Sequence, residues 1–102
     1  LISMINQVPS FVKTLELQYN GSMKKEFFEY LINHRPHLVI DFGKGMDILY
    51  WCIREKYIDL VVQLLEKGIE QVNKIYFLVT PLILAIQRGN NEMVKLLLEK
   101  YK

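Results

Sequence analysis

The apolar pattern of residues Asp47 to Lys67 returns about 33 residues later, over Thr80 to Lys100. Leu49 falls on Leu82, Ile53 on Ile86, Val61 on Val94, Leu64 on Leu97 and Leu65 on Leu98, and Glu66-Lys67 matches Glu99-Lys100. A fixed period of that length constrains the fold more tightly than composition does. Each unit carries an apolar face too small to close into a core of its own, so it buries that face against its neighbours. The 102 residues suffice for one domain with a modest core.

The last unit carries the clearest local signals. Thr80 suits a helix cap, Pro81 the first helical position, and Gly89 the turn that ends the helix. Leu82, Ala85 and Ile86 share one helical face by their spacing. A second helix is predicted from Asn90 to Lys100, with Met93, Val94, Leu97 and Leu98 as its buried stripe. The middle unit follows the same plan, with Asp47 as the cap, Ile48 in place of the proline and Gly68 closing the second helix. Lys56 stands where the last unit has Gly89. A residue that tolerates positive φ is lost there, which predicts a distorted turn between the helices.

The run Thr80-Pro81-Leu82, with Ala85 and Gly89 behind it and Val94-Lys95-Leu96-Leu97-Leu98 following, resembles the ankyrin repeat. That family's core reads T-P-L-H-x-A-x-x-x-G and then V-x-L-L-L; Gly45 and Gly68 match further family glycines. Tetratricopeptide repeats have nearly the same period, but they lack the Thr-Pro-Leu entry and have short links between units. Here the links run through Leu38-Val39-Ile40-Asp41-Phe42 and Ile75-Tyr76-Phe77-Leu78-Val79, long enough for extended fingers. The resemblance implies an all-α fold, an ankyrin-type helical solenoid with short β-hairpin-like fingers between repeats. Residues 1–102 are then a single repeat domain, divided into a degenerate capping repeat (1–36), a second repeat (37–68) and a third, possibly truncated, repeat (69–102). In the first unit a helix from Met23 to His34 carries Phe27, Phe28, Leu31 and Ile32. Its partner helix starts near Ser10 and carries Phe11, Leu15 and Tyr19, with Asn20-Gly21-Ser22 as the turn between them. Leu1 to Val8 form a further short helix ending before Pro9.

Charge and motifs narrow the function. The formal net charge of +2 is too small to imply a polyanionic partner, and lysines alternate with glutamates as on solvated faces, so nucleic acid is not an expected partner. No apolar run reaches the length of a membrane span, and no signal peptide is visible, so no membrane association is expected. The single cysteine, Cys52, cannot form an internal disulfide and aligns with Ala85, which reads as a small core residue. A cytoplasmic location is the resulting expectation.

Several short motifs have plain structural readings. Asp41-Phe42-Gly43 spells a kinase metal-binding triplet but lacks the glycine loop, strand lysine and catalytic loop that give it chemistry. Gly43-Lys44-Gly45 reads as a turn at a finger tip. His34 and His37 flank Pro36, so they straddle a helix end and share no face for a metal. Asn20-Gly21-Ser22 reads as a turn in preference to a glycosylation site. No nucleophile–base–acid constellation or cofactor fingerprint is present, so no enzyme, no metal and no cofactor are expected.

The apolar character of the links is the informative oddity. Ile75 to Val79 run without a charge, and alternation in an extended finger buries half of such side chains and exposes the rest. Tyr76 and Phe77 are then either contact anchors for a partner or covered by neighbouring fingers or the N-terminal segment. By position in the family, the concave surface of finger tips and first helices comprises Lys44, Met46, Arg54 and Glu55 in the middle unit. In the last unit it comprises Lys74, Tyr76, Phe77, Val79, Gln87 and Arg88. The expected function is a protein–protein interaction module that binds another protein through this surface. The alternatives are a structural segment or spacer of a larger repeat protein, and a homo-oligomerisation element built on the apolar fingers.

Overall fold

The computed structural model describes residues 1–69, 74–76 and 78–100. Among these residues the chain is mainly helical, with six helices and two short strands. In chain order they are α1 (Ile2–Asn6), β1 (Thr14–Glu16), α2 (Lys25–His34), β2 (Val39–Asp41), α3 (Ile48–Arg54), α4 (Ile58–Lys67), α5 (Pro81–Gln87) and α6 (Asn91–Lys100).

The repeated helix pairs form where the local signals placed them. Thr80 Oγ1 accepts the amide of Ile83 at 3.2 Å, and Pro81 occupies the first turn of α5. Asn90 Oδ1 accepts the amide of Met93 at 3.1 Å and so caps α6. Asp47 caps α3 through the amide of Tyr50 at 3.0 Å. Gly68 ends α4 in the left-handed region, at φ 65°. The turn between α3 and α4 is not distorted, contrary to expectation. Lys56 adopts φ 62°, close to the 68° of Gly89 between α5 and α6. The lysine keeps the turn's shape and carries the left-handed strain that glycine would avoid.

The helix pairs stack. α3 packs on α4 and α5 on α6, and across the pairs α3 meets α5 while α4 lies between α2 and α6. Leu49, Cys52, Ile53, Leu60, Val61 and Leu64 are fully buried between them, as are Ala85, Met93 and Leu97. Two expected core positions are not buried. Ile86 and Leu98 lie on the flank of α5–α6 that faces away from α3–α4.

The first unit departs from the expected helix pair. Residues 14–16 form a strand, β1, that pairs in parallel with β2 in the register Thr14–Val39, Leu15–Ile40, Glu16–Asp41. Leu17 and Tyr19 continue the extended path by donating to the carbonyls of Asp41 (2.9 Å) and Phe42 (3.0 Å). Leu15, Leu17 and Tyr19 turn inward while Glu16 and Gln18 are exposed, the period of a half-buried strand. Phe11, expected on a buried helical face, is exposed. Asn20 closes the turn before α2, its side chain accepting the amide of Ser22 at 2.8 Å. The short helix before Pro9 is present as α1. Arg35 ties it down, with Nη1 donating to the carbonyl of Ile5 (2.7 Å) and Nη2 to that of Val8 (3.0 Å), and Tyr30 donates its hydroxyl to Asn6.

Candidate functional site

The two fingers are built by short-range polar contacts. In the first, Asp41 Oδ1 accepts the amides of Gly43 (2.8 Å) and Gly45 (3.0 Å), and Phe42 donates to Met46 across the turn at 2.8 Å. This is the work of the Asp41-Phe42-Gly43 triplet here: the carboxylate shapes a turn, and Phe42 is a core side chain edge-on to Phe28. Lys44 and Gly45 take φ 56° and 76°, so Lys44 stands exposed at the tip. In the second finger Tyr76 and Val79 exchange both backbone hydrogen bonds, at 2.6 and 2.9 Å. Leu78 lies between them with φ 74°, one period after Gly45 and in nearly the same conformation.

Leu78 is 87% exposed. A bulky side chain in the left-handed region costs about 1–2 kcal/mol, and an exposed leucine regains none of that by burial within its own chain. Neither Leu78 nor its exposed neighbour Ile75 stands among the contact residues expected from sequence. The signal was there: an apolar residue occupies the repeat position of a glycine.

Tyr76 corrects one expectation. It is 2% exposed, and its hydroxyl donates to Asp47 Oδ1 at 2.6 Å. Lys74 Nζ lies 3.4 Å from Asp47 Oδ2 and 5.3 Å from the centre of the Tyr76 ring. Tyr76 is therefore part of the join between the second finger and the start of α3, not an exposed anchor. Phe77 lies outside the described residues. Val79 is half-buried against the core and Met46 half-buried, while Gln87 and Arg88 are exposed at the end of α5.

Aromatic rings connect the first helix of the middle unit to the extended N-terminal segment. Trp51 stacks on Tyr19 with centroids 3.7 Å apart and planes within 4°, and Tyr50 meets Trp51 and Tyr76 edge-on. The Arg54 guanidinium sits 5.3 Å from the centre of the Trp51 ring and 2.9 Å from Glu55 Oε1. Its charge is thus held in place by a carboxylate on one side and a ring face on the other. Trp51 Nε1 is buried and has no hydrogen-bond partner among the described residues.

Two concavities border these elements. A cavity of about 90 Å³ is lined by Leu31, Ile40, Phe42, Leu49 and Leu64 together with Arg35, Asp47 and Lys74, well below the roughly 300–1,000 Å³ of typical ligand pockets. A wider open groove of about 630 Å³ runs beside the strands, bordered by Thr14, Glu16, Val39, Gly45, Asp47 and Lys74.

Burial pushes the Cys52 thiol far up from its ordinary value, with the Asp47 and Asp59 charges adding to the effect. It is a protonated core group at the position of Ala85. Asp59 and Lys25 pair at 2.8 Å between α4 and α2; the hydrogen bond between them lowers the carboxyl and raises the ammonium. His34 stacks on Tyr30, and His37 is exposed. Among the described residues no cluster of three or more His, Cys, Asp or Glu is placed to hold a metal ion. No helix among them is long and apolar enough to cross a membrane.

The family model of the ankyrin repeat matches residues 78–102, from the tip of the second finger through α5 and α6. No curated protein and no solved structure matches the chain.

Proposed function

We propose, from the ankyrin repeat carried by residues 78–102, that this chain is a protein–protein interaction module of solenoid type. Ankyrin repeats in general bind other proteins. In this reading residues 1–36 cap the stack, and residues 37–68 and 69–102 are its two repeats. The contact surface comprises the finger tips and the ends of the first helices: Lys44, Met46, Arg54, Glu55, Lys74, Val79, Gln87 and Arg88, with Leu78 added. It has no catalytic role. A cytoplasmic setting belongs to the same reading.

The observation that carries it is Leu78. The chain holds an aliphatic side chain at a finger tip, in a strained conformation and in water, where its own repeat logic has glycine. Strained positions of this kind cluster where a chain touches ligands, and exposed aliphatic side chains such as Leu78 and Ile75 on one finger suit a contact surface.

The test is site-specific photo-crosslinking of the full chain in its native host, with the probe at Leu78, at Arg88 and at the exposed Glu66 of α4 as reference. A discrete protein adduct is expected from the first two positions. Adducts from Glu66 with none from Leu78 or Arg88 would move the contact surface off the fingers. A second reading, a spacer within a larger repeat protein, is favoured by the bare flank of α5–α6, where helices of a further unit would stack.

A further inference from the structure

Asn20 is the only asparagine of the sequence that precedes a glycine. Asn20, Gly21 and Ser22 are all exposed, in the turn between the extended N-terminal segment and α2. Asn20 Oδ1 accepts the amide of Ser22 at 2.8 Å, and its backbone carbonyl accepts that of Met23 at 3.1 Å. The amide of Gly21 donates to no group among the described residues. A Cβ at Gly21 would meet nothing within 4 Å, so the space beside its nitrogen is open. The asparagines elsewhere lack this setting. Helical ψ at Asn6, Asn33 and Asn91 turns the next amide away from the side chain, and the Asn90 side chain is engaged in capping α6.

We propose that Asn20 is a modification site, at which attack by the Gly21 backbone nitrogen converts the asparagine to aspartate and isoaspartate. The Ser22 hydrogen bond closes a ring that contains both Asn20 Cγ and the Gly21 nitrogen, which keeps electrophile and nucleophile close. The same Ser22 N–H points at Oδ1, the oxygen on which negative charge develops as Cγ becomes tetrahedral. Solvent takes the Gly21 amide proton while the bond from its nitrogen to Cγ forms. The Cγ–Nδ2 bond then breaks, and ammonia leaves with a proton from solvent, giving a cyclic succinimide. Water opens that ring. Addition at Cγ gives aspartate, and addition at the backbone carbonyl carbon gives isoaspartate. In sum, asparagine and water become acid and ammonia, with nothing oxidised or reduced.

The two products differ in what they do to the turn. Aspartate keeps the backbone and an oxygen for the Ser22 amide, and it lowers the formal net charge of +2 by one. Isoaspartate runs the chain through Cβ and Cγ, so the carbonyl that accepts the Met23 amide leaves the backbone. Both flanks of the turn are fixed. Met23 is buried in the core, while Tyr19 donates to the Phe42 carbonyl at 3.0 Å and stacks on Trp51 at 3.7 Å. The longer link strains these flanks, and the half-buried Tyr19–Trp51 stack yields before the buried Met23 does. None of these residues belongs to the contact surface proposed above, so the two inferences stand or fall separately.

The test is timed incubation of the folded full chain at neutral pH and physiological temperature, followed by tryptic digestion beside a zero-time sample. The peptide from Thr14 to Lys24 is expected to gain the mass difference between NH2 and OH, in two chromatographic forms. One form should co-elute with the same peptide from Asn20→Asp. Peptides that hold Asn6, Asn33, Asn90 and Asn91 should lag behind it. Gly21→Ala, whose methyl group has room in the folded turn, should slow the gain at least about tenfold by hindering the attacking nitrogen. Fluorescence of Trp51, the single tryptophan, should change as the isoaspartyl form accumulates and stay unchanged in Asn20→Asp. No mass gain at Asn20, a gain no faster than at the other asparagines, or a Gly21→Ala chain that reacts as fast as its parent would each overturn the modification. An isoaspartyl form with the Trp51 fluorescence of Asn20→Asp would overturn its effect on the stack.

Discussion

The hydroxyl of Tyr76 donates to Asp47 at 2.6 Å, and the same carboxylate oxygen accepts the amide of Tyr50 at the start of α3. One side chain thus caps a helix of the middle unit and holds the finger of the next. The last unit uses Thr80 for its cap, whose hydroxyl serves the amide of Ile83. Aspartate in place of threonine provides a second oxygen and a charge, and Lys74 lies against that second oxygen. Aspartate at the place that Thr80 holds in the last unit therefore adds a polar join between α3 and the second finger.

Tyr76→Phe should destabilise the fold by about 1–2 kcal/mol, since the lost bond had a charged acceptor that is largely buried. Asp47→Ala removes the cap, the hydroxyl contact and the Lys74 pair together, and should cost about 2–3 kcal/mol. A double-mutant cycle by urea unfolding reads their coupling, and values that simply add would mean the 2.6 Å contact contributes nothing. Tyr76→Ser should melt the second finger's anchorage and lower stability further, which disqualifies it as a probe of partner contact.

Lys56 and Leu78 are both bulky residues in the left-handed region, in turns whose counterparts Gly89 and Gly45 are glycine. Lys56→Gly and Leu78→Gly should each stabilise the chain by about 0.5–1 kcal/mol, the relief of strain less the extra freedom of glycine when unfolded. Lys56→Ala retains the strain and should gain nothing. Melting curves that move equally for the glycine and alanine variants would show that the turn is not strained at this position.

Local signals made the last two units legible. Capping at Asp47 and Thr80, the proline at the first turn and the glycine closing α4 act within a few residues, so the sequence displays them directly. The segment from Ser10 to Tyr19 is ambiguous by the same measure. Phe11, Leu15 and Tyr19 satisfy a four-residue spacing, while Leu15, Leu17 and Tyr19 satisfy a two-residue one. Pairing with β2 and the stacking of Tyr19 on Trp51 decide for the strand, and both partners lie more than twenty residues away. The candidate surface was legible to a similar degree. Finger positions followed from the repeat, but the burial of Tyr76 depends on the acid at Asp47, and the exposure of Ile86 on what stacks beside it.

Leu97 and Leu98 adjoin in sequence and differ in fate. Leu97 is fully buried between α6 and its neighbours, whereas Leu98 lies on the bare flank. Leu97→Ala should cost about 2–5 kcal/mol, enough in a chain of this size to remove cooperative unfolding. Leu98→Ala at low protein concentration should cost less than about 1 kcal/mol. Thermal melts of the two variants side by side check this, and equal losses would mean that α6 is rotated about its axis from the position described.

Cys52 gives the alkaline limit of stability a specific origin. Its thiol is held up chiefly by burial, above the ordinary 9.0. The folded state therefore keeps a proton that the unfolded chain releases. The stabilisation this represents is complete below pH 9.0 and is lost as pH rises from there towards the raised folded value. Unfolding free energy should fall by up to about 1.4 kcal/mol per pH unit in that range from this group alone. Tyr57, also raised mainly by burial, adds to the loss above the ordinary phenol value of 10.0. Cys52→Ala places in α3 the residue that α5 already has at Ala85, and it should flatten the decline between pH 9 and 10 while leaving the tyrosine part above it. At neutral pH the same burial should make Cys52 react with a thiol reagent only as fast as the core opens. A reaction as rapid as that of a free thiol, with the fold intact by circular dichroism, would show that Cys52 is not in the core.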